Sequence, residues 1–228
     1  MTVQDVSSVI AVKQAGIKTG DLVMDACAAP GGKSILASEL TGESGKVICG
    51  DVSEKKTAAI HENVDRMGRA NIEIREWDAR NLPEELMGKG DLLLLDVPCS
   101  GLGVMGKKRD IKYHVSKESF QEVENLQREI VRSAWQAVKP GGILLYSTCT
   151  VREEENREMV KWILENLPFE PIALDWNDGM TDAVKEGMKE EKKLRRGPAM
   201  DWEDCCGQIL PGIMKADGFF FAKLRRKS

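Results

Sequence analysis

The chain has 228 residues, of which 42% are hydrophobic and 31% are charged, and its formal net charge is −4. This length and composition are typical of one globular domain with its own core and exclude intrinsic disorder. The negative balance also excludes a protein that holds nucleic acid through overall positive charge alone. No segment reaches the roughly 20 consecutive apolar residues of a membrane span, and the first residues lack the apolar stretch of a signal peptide, so we expect a cytoplasmic protein.

Short apolar runs alternate with helical stretches between residues 22 and 167, which predicts an α/β fold with a mainly parallel sheet. The pattern predicts strands at residues 22–26, 46–51, 72–76, 92–97 and 143–147. The last two are continuous apolar runs, as expected for central strands covered on both faces. Ser53 and Gly68 are predicted to cap one intervening helix, and a second helix is predicted at residues 117–138, before the breaker KPGG.

The C-terminal part of the chain has a less regular pattern. Residues 175–198 are polar and rich in Lys and Glu, which predicts an excursion from the sheet, part helix and part loop. The run GFFFAKL, at residues 218–224, is aromatic and apolar enough for a late strand that returns antiparallel at the sheet edge. We therefore predict one domain over residues 1–228, with a polar excursion at about residues 175–200.

The six cysteines contain neither a C-x-x-C pair nor two close clusters with the spacing of zinc ligands, so we predict no metal site. In a cytoplasmic protein these thiols are reduced, and the simplest interpretation of each is a small buried apolar residue. The six are Cys27, Cys49, Cys99, Cys149, Cys205 and Cys206.

A glycine-rich turn, DACAAPGGKS, follows the first predicted strand and precedes an amphipathic stretch. Such a turn lets backbone N–H groups approach a ligand at a helix N-terminus. The turn is neither G-x-G-x-x-G nor a Walker loop, because position 27 is Cys rather than Gly. Asp51 ends the second strand about 20 residues later, where a carboxylate would receive ribose hydroxyls. Asp78 and Asp96 come at the ends of the next two strands.

Each of these acids alone is more simply a helix cap or a turn former, since Asp is common at such positions. Together with the glycine turn, they favour a nucleoside-containing cofactor in the crevice at the carboxyl ends of the strands. This pattern alone does not distinguish a nicotinamide cofactor from S-adenosyl-L-methionine (SAM).

Two cysteines also follow central strands, in DVPCSG at residues 96–101 and in YSTCT at residues 146–150. If the two strands are neighbours, the thiols of Cys99 and Cys149 face one crevice. Thr150 and Glu153 form a T-x-x-E capping-box pattern, so Cys149 is predicted at a helix N-terminus, whose partial positive charge favours a thiolate. The alternative is two buried thiols at strand ends, which does not explain why both follow polar or turn residues.

Several motifs, spread over nearly the whole chain, resemble those of a known family. They are VQD near the start, DACAAPGGK, DVPCSG, YSTCTVREEEN, and ILPG with DGFFFAKL near the end. In this combination the chain resembles the RNA 5-methylcytosine methyltransferases of the Nol1/Nop2/Sun family. The segment RDIKYH, at residues 109–114, is similar to one in the catalytic domain of the bacterial 16S ribosomal RNA methyltransferase B (Sun) branch.

The resemblance implies a Rossmann-like SAM-dependent methyltransferase fold in a single catalytic domain, without a separate RNA-binding domain. Cys149 matches the family nucleophile, and Cys99 matches a second cysteine implicated in product release. DNA cytosine methyltransferases use the Pro-Cys thiol instead, which would select Cys99. The resemblance also implies that Asp51 holds the cofactor ribose, Asp78 lies by the adenine and Asp96 faces the reaction centre. The remaining residues implied for the SAM pocket are Cys27, Ala28, Ala29, Pro30, Gly31, Gly32 and Lys33.

The implied reaction is methylation of cytosine C5 in RNA, with 16S ribosomal RNA as the expected substrate. Thiolate addition to C6 activates the weakly nucleophilic C5, and an acid near N3, either Asp96 or a partner of it, stabilises the adduct. The target base must leave its stack to reach such a pocket. Family members of this branch usually carry an upstream RNA-binding domain, so we expect a separate domain or partner to contribute RNA affinity to a monomeric chain.

Three alternatives remain open from the sequence. The first is a transfer RNA substrate for the same chemistry. The second is a non-catalytic scaffold that binds RNA or a cofactor. The third is a Rossmann-type oxidoreductase, which fails to explain the paired cysteines at the strand ends.

Overall fold

The computed structural model describes residues 4–107, 116–176, 186–187, 190, 202–212 and 216–228. The segment RDIKYH and most of the predicted polar excursion lie outside the described residues. The main helices are α1 (Val6–Ala15), α2 (Gly32–Thr41), α3 (Glu54–Met67), α4 (Lys117–Ala134) and α5 (Arg157–Asn166). The strands are β1 (Leu22–Asp25), β2 (Lys46–Asp51), β3 (Ile72–Glu76), β4 (Gly90–Asp96), β5 (Val138–Thr148), β6 (Phe169–Pro171), β7 (Cys206–Ile209) and β8 (Phe219–Arg226).

The eight strands form one sheet in the order β3-β2-β1-β4-β5-β8-β6, with β7 also paired to β8. Strands β1 to β5 are parallel, whereas β8 runs antiparallel to β5. The predicted α/β class, with a mainly parallel sheet and a late antiparallel strand, is therefore confirmed. The predicted edge position of β8 is wrong, because the short strands β6 and β7 pair with its other side.

Both faces of the central sheet are covered, as the continuous apolar runs predict. The four leucines at positions 92–95 of β4 are at most 2% exposed. Apolar residues of α4 and α5 pack on one face, and those of α1, α2 and α3 pack on the other. Each buried leucine side chain stabilises the fold by about 2 kcal/mol relative to exposure, so this core holds the strand ends firmly in place. Within the described residues, no helix is long and apolar enough to cross a membrane.

The predicted caps of α3 are confirmed, since Ser53 is its N-cap and Gly68 ends it in the left-handed conformation at φ +62°. The boundary between α4 and β5 differs from the prediction. Helix α4 ends four residues early, at Ala134, and a 3-10 turn leads directly into β5. Pairing between β4 and β5 is irregular between residues 90 and 92, and this irregularity lets the strand include Pro140 and Gly141.

The order of the strands reverses beside β1, because β2 lies on one side of it and β4 on the other. In open α/β sheets, ligands bind outside the carboxyl ends of the strands at such a reversal. The loops that follow β1, β4 and β5 all leave the sheet at this edge. This is where the structure brings the sequence-predicted residues together.

Candidate active site

The glycine-rich loop between β1 and α2 is held close to β2 and α3. The Ala28 N–H donates to the Gly50 carbonyl oxygen at 2.9 Å, and the Ala29 N–H donates to Asp51 Oδ2 at 3.0 Å. Gly31 caps α2 at φ +98°, and a Cβ there would lie 3.1 Å from Cγ2 of Ile60. Only glycine fits this conformation and this approach without strain. The first amides of α2 therefore point into the crevice beside the loop.

A cavity of about 440 Å³ opens beside this loop. Its volume falls in the range of about 300–1,000 Å³ that is usual for small-molecule sites. Seven of the residues predicted for the cofactor or the chemistry line it: Cys27, Ala28, Ala29, Pro30, Gly32, Lys33 and Asp96. The cavity thus joins the glycine loop to the end of β4, where DVPCSG begins.

Asp25, the last residue of β1, is a buried carboxylate in the wall of this cavity. It is 1% exposed, and its Oδ2 accepts a hydrogen bond from the Ser34 hydroxyl at 2.6 Å. Its Oδ1 is buried and has no hydrogen-bond partner among the described residues. Burial raises the pKa of Asp25 to about 7, against the opposing effects of the Ser34 hydrogen bond and the charge of Lys33. An unpaired carboxylate oxygen in this wall suits a cationic group of a ligand.

Lys33 and Asp96 form an ion pair across the cavity, with 2.6 Å between Lys33 Nζ and Asp96 Oδ2. Burial alone would lower the pKa of Lys33, but the charge and hydrogen bond of Asp96 outweigh burial and raise it, so Lys33 is an ammonium. The other carboxylate oxygen of Asp96 accepts a hydrogen bond from the Ser147 hydroxyl at 2.8 Å. The pair places a fixed proton donor at the ends of β4 and β5.

The two strand-end thiols face each other, as predicted for neighbouring strands. Sγ of Cys99 lies 3.1 Å from Sγ of Cys149, and the Cys149 N–H donates to Cys99 Sγ at 3.3 Å. The hydrogen bond with Cys149, followed by burial, holds the pKa of Cys99 well above its usual range. Cys99 therefore stays a thiol, while a charge on Cys149 contributes to the raised pKa of Lys33. A cation near a cysteine favours its thiolate, so the site suits Cys149 as the reactive sulfur.

Residues 15–225 match the protein family described as 16S rRNA methyltransferase RsmB/F. This chain belongs to that family. Its members are SAM-dependent RNA cytosine-5 methyltransferases, so the family and the SAM dependence implied by the motifs are confirmed. The fold brings three of the motifs that carry the resemblance to one edge of the sheet: the glycine loop and the two cysteine motifs.

Two curated relatives show how much of an RsmB/F protein this chain represents. The chain is 34% identical to the ribosomal RNA small subunit methyltransferase F of Cronobacter sakazakii, covering 98% of the chain and 44% of the relative. It is also 34% identical to the probable ribosomal RNA small subunit methyltransferase B of Bacillus subtilis, covering 100% of the chain and 48% of the relative. Both branches match, and the chain spans about half the length of these relatives.

A solved structure shows the same fold with a ligand present. The chain is similar to the crystal structure of NSun6 from Pyrococcus horikoshii with SFG, with a TM-score of 0.79 and 27% sequence identity. The match covers 99% of this chain and 53% of that one. The Rossmann-like methyltransferase fold implied by the resemblance is therefore confirmed.

Two further acids predicted for the cofactor site of this RsmB/F chain are not among the residues that line the cavity. Asp51 is buried, and besides Ala29 it bonds Lys56 Nζ through Oδ1 at 2.8 Å. Oδ1 also accepts a hydrogen bond from the Val52 N–H at 2.8 Å, so of the about four acceptor positions of a carboxylate one remains, on Oδ2. Asp78 lies on the loop after β3, where hydrogen bonds from Arg80 lower its pKa. Their roles toward ribose and adenine stay predictions.

The predicted capping box at Thr150 is wrong. Helix α5 begins at Arg157, so Cys149 lies seven residues before its N-cap, Asn156. The Thr150 hydroxyl instead pairs with the Ser100 hydroxyl at 2.7 Å, which links the two cysteine loops. Tertiary hydrogen bonds have replaced the local cap. Lys33, rather than a helix N-terminus, supplies the positive charge near Cys149 in this family member.

Sequence reasoning missed the cavity residues that come from α1 and α3. Gln4 and Asp5, just before α1, and Ser8 in its first turn line the cavity, and Gln4 Nε2 donates to the carbonyl oxygen of Gly32. The signal was present, since Gln4 and Asp5 belong to the VQD motif. From α3 come Asn63, which donates to the Pro30 carbonyl oxygen at 2.9 Å, and Arg66. No motif in the sequence marks these two positions.

Proposed function

We propose that this chain methylates C5 of cytosine in RNA, with SAM as the methyl donor and Cys149 as the covalent nucleophile. One observation carries the proposal: the thiols of Cys99 and Cys149 lie 3.1 Å apart and interact electrostatically with the Lys33–Asp96 ion pair, which lines the cavity of the glycine loop. Cytosine-5 methylation needs a thiolate, a proton donor for the base and a methyl donor within one pocket. This arrangement supplies the first two from the chain itself.

The cavity fits SAM in charge as well as in size. The unpaired Asp25 Oδ1 would receive the methionine ammonium, and the first amides of α2 would receive the methionine carboxylate. Asp51 would hold the ribose hydroxyls through its remaining acceptor capacity, and Asp78 would lie by the adenine. Bound SAM supplies an electrophilic methyl group. The cavity reaches Asp96 at the end of β4, so a cofactor bound there would lie beside the strand end that precedes the Cys99 loop.

The Cys149 thiolate would start the reaction by adding to C6 of a cytosine that has left its stack. As the S–C6 bond forms, the C5–C6 π pair makes a C4–C5 double bond and the C4–N3 π pair moves onto N3. The Lys33 ammonium, held by Asp96, donates a hydrogen bond to the base edge at N3 and stabilises the charge that develops there. The electron pair returns from N3, and C5 takes the methyl group of SAM with release of S-adenosyl-L-homocysteine. The C5 proton then passes to a base from solvent, and the C5–C6 double bond reforms as the Cys149 sulfur leaves.

Cys99 would act on the departing sulfur. Its raised pKa keeps it protonated, and at 3.1 Å from Cys149 Sγ it would donate a hydrogen bond to that sulfur. This hydrogen bond is available both when the thiolate forms and when it is expelled. Loss of Cys99 would therefore slow release of the methylated product more than attack on the base. This is the role that the family resemblance implies for the second cysteine.

We propose ribosomal RNA of the small subunit as the substrate, on the basis of what the relatives of both branches are named for. Transfer RNA is the alternative. The net charge of −4 gives the chain little general attraction to RNA, so we propose that a separate RNA-binding domain or partner raises its affinity. At micromolar concentrations in low salt, the chain alone should still show activity.

The test is methyl transfer followed by nucleoside analysis. The wild-type chain and Cys149→Ala are incubated with labelled SAM and either a 16S rRNA transcript or a tRNA mixture, and the RNA is digested. The proposal predicts labelled 5-methylcytidine from the 16S transcript with wild type and none with Cys149→Ala. If the label appears only in tRNA, tRNA replaces 16S rRNA as the proposed substrate. Label on a base other than cytosine would overturn the proposed function.

A further inference from the structure

Two consecutive residues after β5, Glu155 and Asn156, are completely buried yet have no part in the proposed chemistry. A buried carboxylate or amide is costly to the fold unless hydrogen bonds replace its lost contacts with water. The partners of these two side chains therefore indicate what the fold gains from them. Each side chain turns out to hold one of the two cysteine loops.

Glu155 holds the loop that carries Cys99. Its Oε2 accepts a hydrogen bond from the Ser100 N–H at 2.9 Å and another from Gln127 Nε2 at 2.9 Å. Gln127 Nε2, on α4, also donates to the carbonyl oxygen of Pro98 at 2.9 Å. The residues on both sides of Cys99 are thus fixed to the same carboxylate, directly or through one amide.

Asn156 holds the chain around Cys149 in the same manner. Its Oδ1 accepts a hydrogen bond from the Thr148 hydroxyl at 2.6 Å, and its Nδ2 donates to the Thr150 carbonyl oxygen at 3.1 Å. Both residues that flank Cys149 are therefore fixed to one buried amide. Because Glu155 and Asn156 are adjacent in sequence, one short segment of backbone carries both anchor points.

The backbone that carries this pair is itself anchored to the sheet. The Tyr146 hydroxyl, buried in β5, donates to the Glu155 carbonyl oxygen at 2.7 Å. Arg152 Nη1 approaches Glu155 Oε1 at 3.5 Å, which places a positive charge beside the buried carboxylate. Strand β5, helix α4 and both loops are thus joined through one dipeptide.

We propose that Glu155 and Asn156 are positioning residues that set the separation between the sulfurs of Cys99 and Cys149. This inference rests on the proposed function, because it assigns these residues to the release step in which Cys99 assists the departing sulfur. A displacement of a reacting group by about 1 Å can cost up to about 100-fold in rate. Neither residue touches substrate or cofactor; both act through the cysteines.

The test compares Glu155→Asp with Glu155→Gln. Aspartate keeps the charge but withdraws the carboxylate by about 1.5 Å, the length of one C–C bond, so it cannot reach the Ser100 N–H unless the loop moves. Glutamine keeps the length and one acceptor oxygen. Glu153→Asp is the matched control, because Glu153 lies in the same turn, is exposed and forms an ion pair with Arg157 at 2.9 Å. Urea unfolding of each variant shows that it is folded under the assay conditions.

The first readout measures the geometry of the thiols without RNA. Diamide oxidises two neighbouring thiols to a disulfide and is itself reduced to a hydrazine, and peptide mass mapping identifies the Cys99–Cys149 product separately from Cys205–Cys206. We expect Glu155→Asp to slow formation of the Cys99–Cys149 disulfide by about tenfold, with Glu155→Gln and Glu153→Asp close to wild type. A purely structural role predicts rates that follow the unfolding free energy instead.

The second readout is the covalent protein–RNA adduct that accumulates on ordinary cytidine RNA with SAM present. Glu155→Asp should accumulate it as Cys99→Ala does, and Glu155→Gln should not. The positioning role would be overturned if Glu155→Asp formed the Cys99–Cys149 disulfide at the wild-type rate and accumulated no adduct. If Cys99→Ala itself accumulates no adduct, the proposed function of Cys99 fails, whereas the disulfide rates still decide whether Glu155 positions the thiols.

Discussion

Replacement of Asp25 by asparagine tests the electrostatics of the cofactor cavity. Burial raises the pKa of this carboxyl from 3.8 to about 7. The folded protein therefore binds the proton more tightly than the unfolded chain does, so the contribution of Asp25 to stability is fully present below pH 3.8 and is lost as pH rises to about 7. At 1.36 kcal/mol for each pH unit between the two pKa values, the loss is on the order of 4 kcal/mol.

Urea unfolding of wild type and Asp25→Asn between about pH 4.5 and pH 8 measures this effect. Asparagine does not titrate, so the unfolding free energy of the variant minus that of wild type should increase by a few kcal/mol as pH rises across this range. Asp65→Asn, at an exposed position of α3, serves as the control and should show no such gain. A difference between wild type and Asp25→Asn that stays constant with pH would refute the buried, raised-pKa carboxyl.

The same substitution should also weaken SAM binding. If Asp25 receives the methionine ammonium, the affinity of wild type for SAM should increase as pH rises through about 7, because the carboxyl then carries its charge. Asp25→Asn should bind SAM more weakly and without this pH dependence, as calorimetric titration would show. If wild type and Asp25→Asn bound SAM with equal affinity at about pH 8, Asp25 would not be a cofactor-binding residue.

Two other substitutions test the proton donor and the glycine loop. Lys33→Met removes the ammonium that Asp96 holds, and loss of such a donor should slow adduct formation in single-turnover kinetics by about 100-fold or more; an unchanged rate would remove Lys33 from the chemistry. Gly31→Ala forces a Cβ into the φ +98° conformation, 3.1 Å from Ile60, and should lower the unfolding free energy by about 1–3 kcal/mol and weaken SAM binding. Gly68→Ala, with φ +62° and open space around the Cβ, is the matched control and should leave SAM binding unchanged; the same loss of affinity there would show that strain alone is responsible.

The central strands could be predicted from sequence because their signals are local. The apolar runs of β4 and β5 are continuous, as is typical of strands buried on both faces, and turn residues mark where each run ends. Strands β6 and β7, with three and four residues, carry no such pattern and form because β8 offers a free edge. Helix α1 also escaped prediction, although Asp5 caps its start and Gly16 ends it at φ +77°.

The site was predictable wherever a side chain follows a strand. Parallel strands end at the same edge, so Cys99 and Cys149 had to meet if β4 and β5 were neighbours. The capping box at Thr150 failed because its hydroxyl finds Ser100, about 50 residues away in sequence, and no local pattern records such a partner. The buried roles of Glu155 and Asn156 were invisible for the same reason, since their bonds depend on the tertiary arrangement.

The most direct test of covalent catalysis by Cys149 is trapping on RNA that contains 5-fluorocytidine, whose C5 fluorine cannot leave as a proton does. Wild type, Cys149→Ala and Cys99→Ala are incubated with this RNA and labelled SAM, denatured, and digested for peptide mass mapping. We expect a denaturation-resistant adduct on the peptide that contains Cys149, present in wild type and Cys99→Ala and absent in Cys149→Ala. A nucleotide attached to Cys99, with loss of the adduct only in Cys99→Ala, would reverse the two roles, and the absence of any adduct would contradict the covalent mechanism.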